Sequence, residues 1–361
     1  MKTKSTGKKI LIAVLAVLLA FILIVGAYVA YVFIDYRRIP DNQPIEIEGS
    51  NTAVIPAEKE LTAICYNIGY GSYPPDYTFF MDGGKESVAR SEDSVKTLVD
   101  SAAKLAAGYK PDIAFFQEVD TDSTRSLHID EYSIIKKQFK NYSSVYALNY
   151  DSPFLFYPFT KPIGKSVSGI ATFAKYKMEG SVRYSLPIDN GFKKLIDLDR
   201  CFTVTRLPVS NGKTLYLYNV HLSAYGVTSD LFDRQLAKLY TDMEKIVAGG
   251  DYIICAGDYN HDFTGDSLTP PAADSERLEW QQPFPEDTLP KGMRLCKDLD
   301  NDPLVLSNRT LDVPAGNKDS VYTILDGFIV SDNVECVTVS VVDNKFEFSD
   351  HNPVLLKFIL K

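Results

Sequence analysis

The chain has 361 residues, 45% hydrophobic and 24% charged, which suits one large domain with an appendage. A net charge of −9 argues against tight non-specific binding to duplex DNA, because an acidic surface gains little from counterion release, although a local basic groove leaves nuclease activity open. Five cysteines with no CxxC spacing argue against a disulfide framework or a zinc site and leave room for one bridge.

Residues 10–34, from Ile10 to Ile34, contain no charged side chain. About 20 apolar residues are what a helix needs to cross a bilayer, and this run exceeds the ~7–15 residue core of a cleavable signal peptide. Lys2, Lys4, Lys8 and Lys9 precede it, and by the positive-inside rule they keep that end in the cytoplasm. The expected order is a basic tail over 1–9, a signal anchor over 10–34, a Pro-containing linker over 35–58, and a catalytic domain over 59–361 outside the cytoplasm. Cleavage near Ala27 or Ala30 is the competing reading.

The run Leu61–Tyr66 reads as a strand ending at Asn67, and the Tyr-, Pro- and Phe-rich loop 69–84 follows. Apolar residues from Val88 to Ala106 keep helical spacing up to Gly108, so a helix is expected over 86–107. Asp112–Phe116 is a short buried-type strand delivering Gln117 and Glu118. A helix is expected over 125–139, and it contains His128, which reads first as a surface histidine. Residues 142–148 read as a strand. The loop 153–165 gathers Phe154, Phe156, Tyr157 and Phe159 among prolines, suited to self-packing, base stacking or lipid contact.

Val167–Phe173 is a further strand. Cys201–Leu207 and Lys213–Val220 flank Asn211-Gly212, the strongest short hairpin signal. The first of these strands begins at Arg200, which suits a phosphate or a structural ion pair, and the second delivers His221. A helix is expected over 229–247. Asp251–Ala256 is a buried-type strand ending in Gly257-Asp258-Tyr259-Asn260. The acidic, Pro-rich stretch 264–295 holds the only Trp, Trp280, and reads as a surface loop. Tyr322–Leu325 leads to Asp326-Gly327, residues 337–342 form the penultimate strand, and Ser349-Asp350-His351-Asn352-Pro353 precedes the last apolar run. Neither a GxxxxGK[ST] nor a GxGxxG fingerprint is present.

Six polar groups at six strand ends are hard to explain as packing. In this order they resemble the endonuclease/exonuclease/phosphatase superfamily, which includes DNase I, exonuclease III-type repair nucleases, bacterial neutral sphingomyelinases and inositol phosphatases. The resemblance covers about 60–361, and Gly257–Asn260 and Ser349–Pro353 are its most specific pieces. It implies an α/β fold, a four-layer α/β sandwich of two packed mixed sheets flanked by helices. It also implies magnesium, with manganese as a substitute, on Glu118, with Asn67 and Asp350 nearby. Asp258 would move a proton, Asn260 hold phosphate or water, Asp326 fix the His351 tautomer, and His221 aid the oxyanion or leaving group. Arg200 and His128 are further substrate-contact candidates. Repair nucleases of the superfamily carry an Asp two residues after the Asn; here Gly69 stands there. The expected activity is hydrolysis of a phosphodiester, a lipid headgroup or other small diester, by a membrane-held monomer with no stable nucleic-acid partner. Alternatives are a DNase I-like extracellular nuclease and a non-catalytic surface-binding domain.

Overall fold

The computed structural model describes residues 3–188, 191, 194, 198–224, 229–263, 282–297 and 304–361. In chain order the strands are β1 (Gln43–Pro44), β2 (Glu60–Asn67), β3 (Ile113–Asp120), β4 (Ser143–Asp151), β5 (Val167–Ala174), β6 (Gly180–Ser185), β7 (Cys201–Pro208) and β8 (Thr214–His221). They continue with β9 (Tyr252–Asp258), β10 (Met293–Cys296), β11 (Asn308–Arg309), β12 (Tyr322–Thr323), β13 (Asp326–Ser331), β14 (Val334–Val341) and β15 (Val354–Leu360). The helices are α1 (Thr3–Asp35), α2 (Glu92–Gly108), α3 (Glu131–Gln138), α4 (Ser229–Tyr240) and α5 (Met243–Ala248).

A seven-stranded sheet runs β1-β6-β7-β8-β9-β13-β10 and a six-stranded sheet runs β14-β15-β2-β3-β5-β4. Their inner strands, such as β9 and β13, are buried along their whole length because both faces of each sheet are covered there. Ala63, Cys65, Ile113 and Phe115 of the second sheet meet Leu215, Leu217, Ile254 and Phe328 of the first in the central core. The outer face of the first sheet packs Ile253, Cys255 and Ile329 against Leu236 and Leu239 of α4. The outer face of the second packs Ile64, Ala114 and Phe116 against Val95 and Val99 of α2 and Ile135 of α3. The order of layers is therefore helix, sheet, sheet, helix, the four-layer sandwich expected. Each fully buried Leu, Ile or Phe adds roughly 1.5–3 kcal/mol of transfer free energy.

Three helix expectations need correction. The first helix starts at Glu92, where the Ser91 side chain caps Ser94 N–H. The second starts at Glu131 rather than near 125. Asp120 draws the Arg125 guanidinium inward through bonds of 2.9 and 3.0 Å, and Leu127 and His128 adopt positive φ. The third divides into α4 and α5 on either side of residues 241–242. Trp280 and residues 264–281 lie outside the described residues.

Residues 39–58 do not hang free as a linker. β1 pairs with β6, Glu48 exchanges backbone hydrogen bonds with Ser144, and Ile55 is fully buried in the central core. Cys296 and Cys336 form the one disulfide among the described residues, joining the edge strands β10 and β14 of the two sheets. Helix α1 reaches a mean hydropathy of 3.3 over its most apolar 18-residue window and is long and apolar enough to cross a membrane.

Candidate active site

Two parallel strand pairs set the site. In one sheet β2 lies parallel to β3 with Asn67 opposite Gln117; in the other β8 lies parallel to β9 with His221 opposite Asp258. Parallel strands bring like ends together, so four C-terminal ends open at one end of the sandwich. Antiparallel β13 begins at that end and sets Asp326 opposite Asp258. Gly257 permits the close approach of β8 and β9, since a Cβ there would lie 1.9 Å from the Val220 carbonyl oxygen.

Asp326, His351 and Asp258 form a connected group. His351 Nδ1 is 2.7 Å from Asp326 Oδ2, and His351 Nε2 is 3.8 Å from Asp258 Oδ2. Ser307 Oγ donates to the same Asp326 oxygen at 2.8 Å. Burial alone would lower the His351 pKa, but the Asp326 and Asp350 carboxylates hold it well above the ordinary histidine value. Burial and the Asp326 charge push the Asp258 carboxyl up to about 7. Asn67 Nδ2 donates to Asp258 Oδ2 at 3.0 Å, and Asn67 Oδ1 accepts from Gly69 N–H at 3.0 Å. His221 Nε2 lies 3.4 Å from Asp258 Oδ2, and burial, assisted by the Arg200 charge, keeps this imidazole well below its ordinary pKa and so neutral.

Glu118 reaches the site through a break in the strand. The register of β3 on β5 shifts between Phe116 and Val119, and Glu118 adopts φ of +54°. Gln117 then points between the sheets, where it donates to Asn219 Oδ1 at 2.7 Å, while Glu118 Oε1 comes within 3.9 Å of His221 Nε2. Asp350 Oδ2 is 4.0 Å from His351 Nε2. Burial and then the Asp350 charge raise the Glu118 pKa, and burial raises that of Asp350.

Asn260 sits beside Asp258 with φ of +51°; its backbone N–H donates to Asp258 Oδ1 and its amide donates to Leu222 O, both at 2.9 Å. Arg200 is buried and its charge acts on both Glu118 and His221. His128 stands apart, exposed on the surface and paired with Asp122. Asn308 escaped the sequence reading. Its side-chain amide is 3.0 Å from His351 Nε2, but β11 is two residues long and carries no period that would have marked it.

The endonuclease/exonuclease/phosphatase family profile matches residues 65–351. The chain belongs to that family. Among solved structures, the family member from Beutenbergia cavernae DSM 12333 is 17% identical with a TM-score of 0.56, covering 84% of this chain and 72% of that one. D. rerio TDP2 complexed with a single-strand DNA product is 16% identical with a TM-score of 0.53, covering 83% and 99%. The family member from Bacteroides vulgatus is 15% identical with a TM-score of 0.52, covering 84% and 100%. At these identities the likeness is one of fold. No curated protein sequence matches the chain.

Members of the endonuclease/exonuclease/phosphatase family are hydrolases of phosphodiester bonds and generally use divalent metals. The residues here fit such an ion. The half-buried Glu118 carboxyl and the buried Asp350 carboxyl repel each other, an arrangement that a divalent cation relieves. Asp258, Asp326 and His351 also offer ligand atoms within 4.8 Å of one another. In that trio the 2.7 Å hydrogen bond between Asp326 and His351 already occupies the facing atoms.

Proposed function

We propose that this protein is a divalent-metal-dependent phosphodiesterase held on the outer face of a membrane by α1. The carrying observation is the convergence of Asp258, His221 and the Asp326–His351 pair beside Glu118 and Asp350. A divalent cation on Glu118 and Asp350, with Asn67 beside them, would supply positive charge against the phosphoryl oxygens. Magnesium suits this oxygen-rich ligand set.

The chain's own groups do the rest. Asp258, steadied by Asn67 and the Asn260 N–H, accepts the proton of the attacking water. His351, held at Nδ1 by Asp326 and at Nε2 by the Asn308 amide, supplies positive charge beside the phosphate oxygens. Asn260 holds the phosphate or the water. Neutral His221 gives a hydrogen bond to the departing oxygen. Arg200 adds positive charge behind Glu118.

Residues 1–9 would face the cytoplasm, residues 10–34 cross the bilayer, and the domain lie outside. The four N-terminal lysines support that orientation, and so does the Cys296–Cys336 disulfide, which suits an oxidising compartment. A lipid headgroup or other small diester is the favoured substrate. Nuclease activity is the second reading, and the TDP2 structure with a DNA product supports it.

The test is hydrolysis of bis-p-nitrophenyl phosphate with magnesium, with EDTA, and by Asp258→Ala. Turnover abolished by EDTA and reduced about 10²–10⁴-fold in the variant is expected. Turnover indifferent to both would defeat the reading. Sphingomyelin, other phospholipids and DNA then rank the substrate.

A further inference from the structure

Outside α1, the described residues expose seven large apolar side chains, and four of them share one patch: Met81, Phe156, Tyr157 and Phe159, the last 84% exposed. They sit on two loops that touch through the Phe80 and Tyr157 rings, 5.7 Å apart. Such a grouping is unlike the scattered single apolar residues of an ordinary surface. Lys85 and Lys161 are exposed on the same loops.

The membrane helix fixes where this patch lies. Phe154 N–H donates to Tyr31 Oη and Phe154 O accepts from Tyr28 Oη, each at 3.0 Å, and the Tyr28 and Phe156 rings meet at 5.0 Å. Both tyrosines belong to the apolar run that ends at Ile34. At about 1.5 Å rise per residue, the loop backbone is therefore bonded to α1 roughly 5–9 Å inside the end of that run. Phe33 and Ile34 on the neighbouring turn stay exposed. A loop pinned at that height meets the headgroup layer, where tyrosine and apolar rings are favoured.

The active site opens at the same end of the sandwich. His221 closes β8, Phe202 pairs with Val220, and Ser185 pairs with Cys201, so the Leu186 carbonyl that Arg38 reaches lies at the site end. The patch is rigidly tied to the site as well. Ring contacts run from Tyr157 through Phe80 and Phe79 to Tyr73, which packs against Gly69 beside Asp350.

Building on the membrane-anchored reading above, we propose that Met81, Phe156, Tyr157 and Phe159 form a lip that docks on the bilayer α1 crosses and presents the active site to phosphodiesters carried in that membrane. The substrate class is thereby an amphipathic phosphodiester whose headgroup reaches the Glu118–Asp350 site while its chain stays in the bilayer.

The test uses the full chain in phosphatidylcholine vesicles. A nitrobenzoxadiazole label is placed at Phe159→Cys and, as control, at Asn211→Cys, which lies at the opposite end of β8, about 25 Å along the strand. The three unpaired cysteines, Cys65, Cys201 and Cys255, are buried. Brominated phosphatidylcholine should quench the label at 159 and leave that at 211 bright. Equal, water-like emission at both positions would overturn the docking, as would quenching at 159 that depends on protein concentration and not on bromine, since that points to a second copy of the chain.

The combined variant Met81→Ser, Tyr157→Ser, Phe159→Ser is then assayed on p-nitrophenyl hexadecyl phosphate in vesicles and on soluble bis-p-nitrophenyl phosphate. A loss of about tenfold or more on the first, with the second changed less than about twofold, is expected. Equal losses on both would overturn the lip's role. Should the parent fail on the soluble diester, the phosphodiesterase reading falls, while the label still reports docking independently.

Discussion

A methyl group at position 69 would sit 2.5 Å from the Tyr73 ring and 2.8 Å from Asp350 Oδ1, on a backbone with φ of +53°. The absence of an Asp at this position, visible in sequence as a departure from the repair nucleases, thus has a steric cause: Tyr73 and Asp350 fill its place. Gly69→Ala should cost about 1–3 kcal/mol and shrink the rise in melting temperature that magnesium gives, because Asp350 must move. A melting curve with and without the ion reads both. The Asp326–His351 pair makes a sharper prediction. Asp326→Asn keeps the shape but loses the charge that holds His351, so kcat should fall about 10²–10⁴-fold with KM little changed. A fall in kcat below about tenfold would remove the orienting role. His261 lies outside the shared motif, stacked on Phe232 at 3.3 Å, and burial holds its pKa at about 4. The unfolded chain takes up that proton near pH 6.5, so stability is full above about 6.5 and falls by up to ~3 kcal/mol towards pH 4. Asp258, raised to about 7, works in the opposite direction, so only the difference between parent and His261→Leu isolates the effect. The change in urea midpoint from neutral to acid pH should be less destabilising in the variant than in the parent, by up to the His261 contribution.

The strands that carry the site were legible because each is a short apolar run closed by a polar signal, whereas β6 went unread and β10 begins inside the stretch expected to be a surface loop. Helix ends were less legible. Arg125 looked like a helical residue, but its ion pair with the nearby Asp120 and its stacking 3.7 Å over the distant Tyr70 ring override local propensity. Asn308 was hidden for a related reason, since its position depends on pairing with β12 and on contact with a loop 43 residues away. The disulfide belongs to the same class. Cys296 and Cys336 are 40 residues apart and come together only because their strands edge two different sheets, with Cα atoms 6.6 Å apart. Closing a loop of that length should stabilise by about 3–4 kcal/mol. Cys336→Ser should therefore lower the urea midpoint to that extent while leaving turnover of a soluble diester intact, as both cysteines lie outside the catalytic group. An unchanged midpoint would mean that packing between β10 and β14 already closes that side.

That bridge closes only one side of the sandwich, and the opposite side is closed by the segment expected to be a linker. Without that segment β6 and β4 would be the edge strands there and would present unpaired backbone. β1 covers β6, Glu48 bonds to β4 at Ser144, and Ile55 enters the core between the sheets, its N–H bonded to Pro208 O. Asp41 receives Ser185 N–H at 2.8 Å, and Arg183 donates to Pro40 O. Residues 39–58 thus act as a strap across two edges. The strap was invisible in sequence because its prolines and mixed polar residues carry no period; only the edges it meets give it a conformation. We therefore propose that the folded unit begins near residue 36, not 59. A chain of residues 36–361 should fold and turn over a soluble diester like the full protein. A chain of residues 59–361 should lose several kcal/mol, since burial of Ile55 alone contributes roughly 1.5–3 kcal/mol. Its uncovered edges should also drive association during size-exclusion chromatography. Equal urea midpoints and a monodisperse peak for the shorter chain would show the strap to be a passenger. The predicted loss would make it structural and would set the distance between α1 and the site, because the same residues that close the sandwich also tether it to the membrane helix.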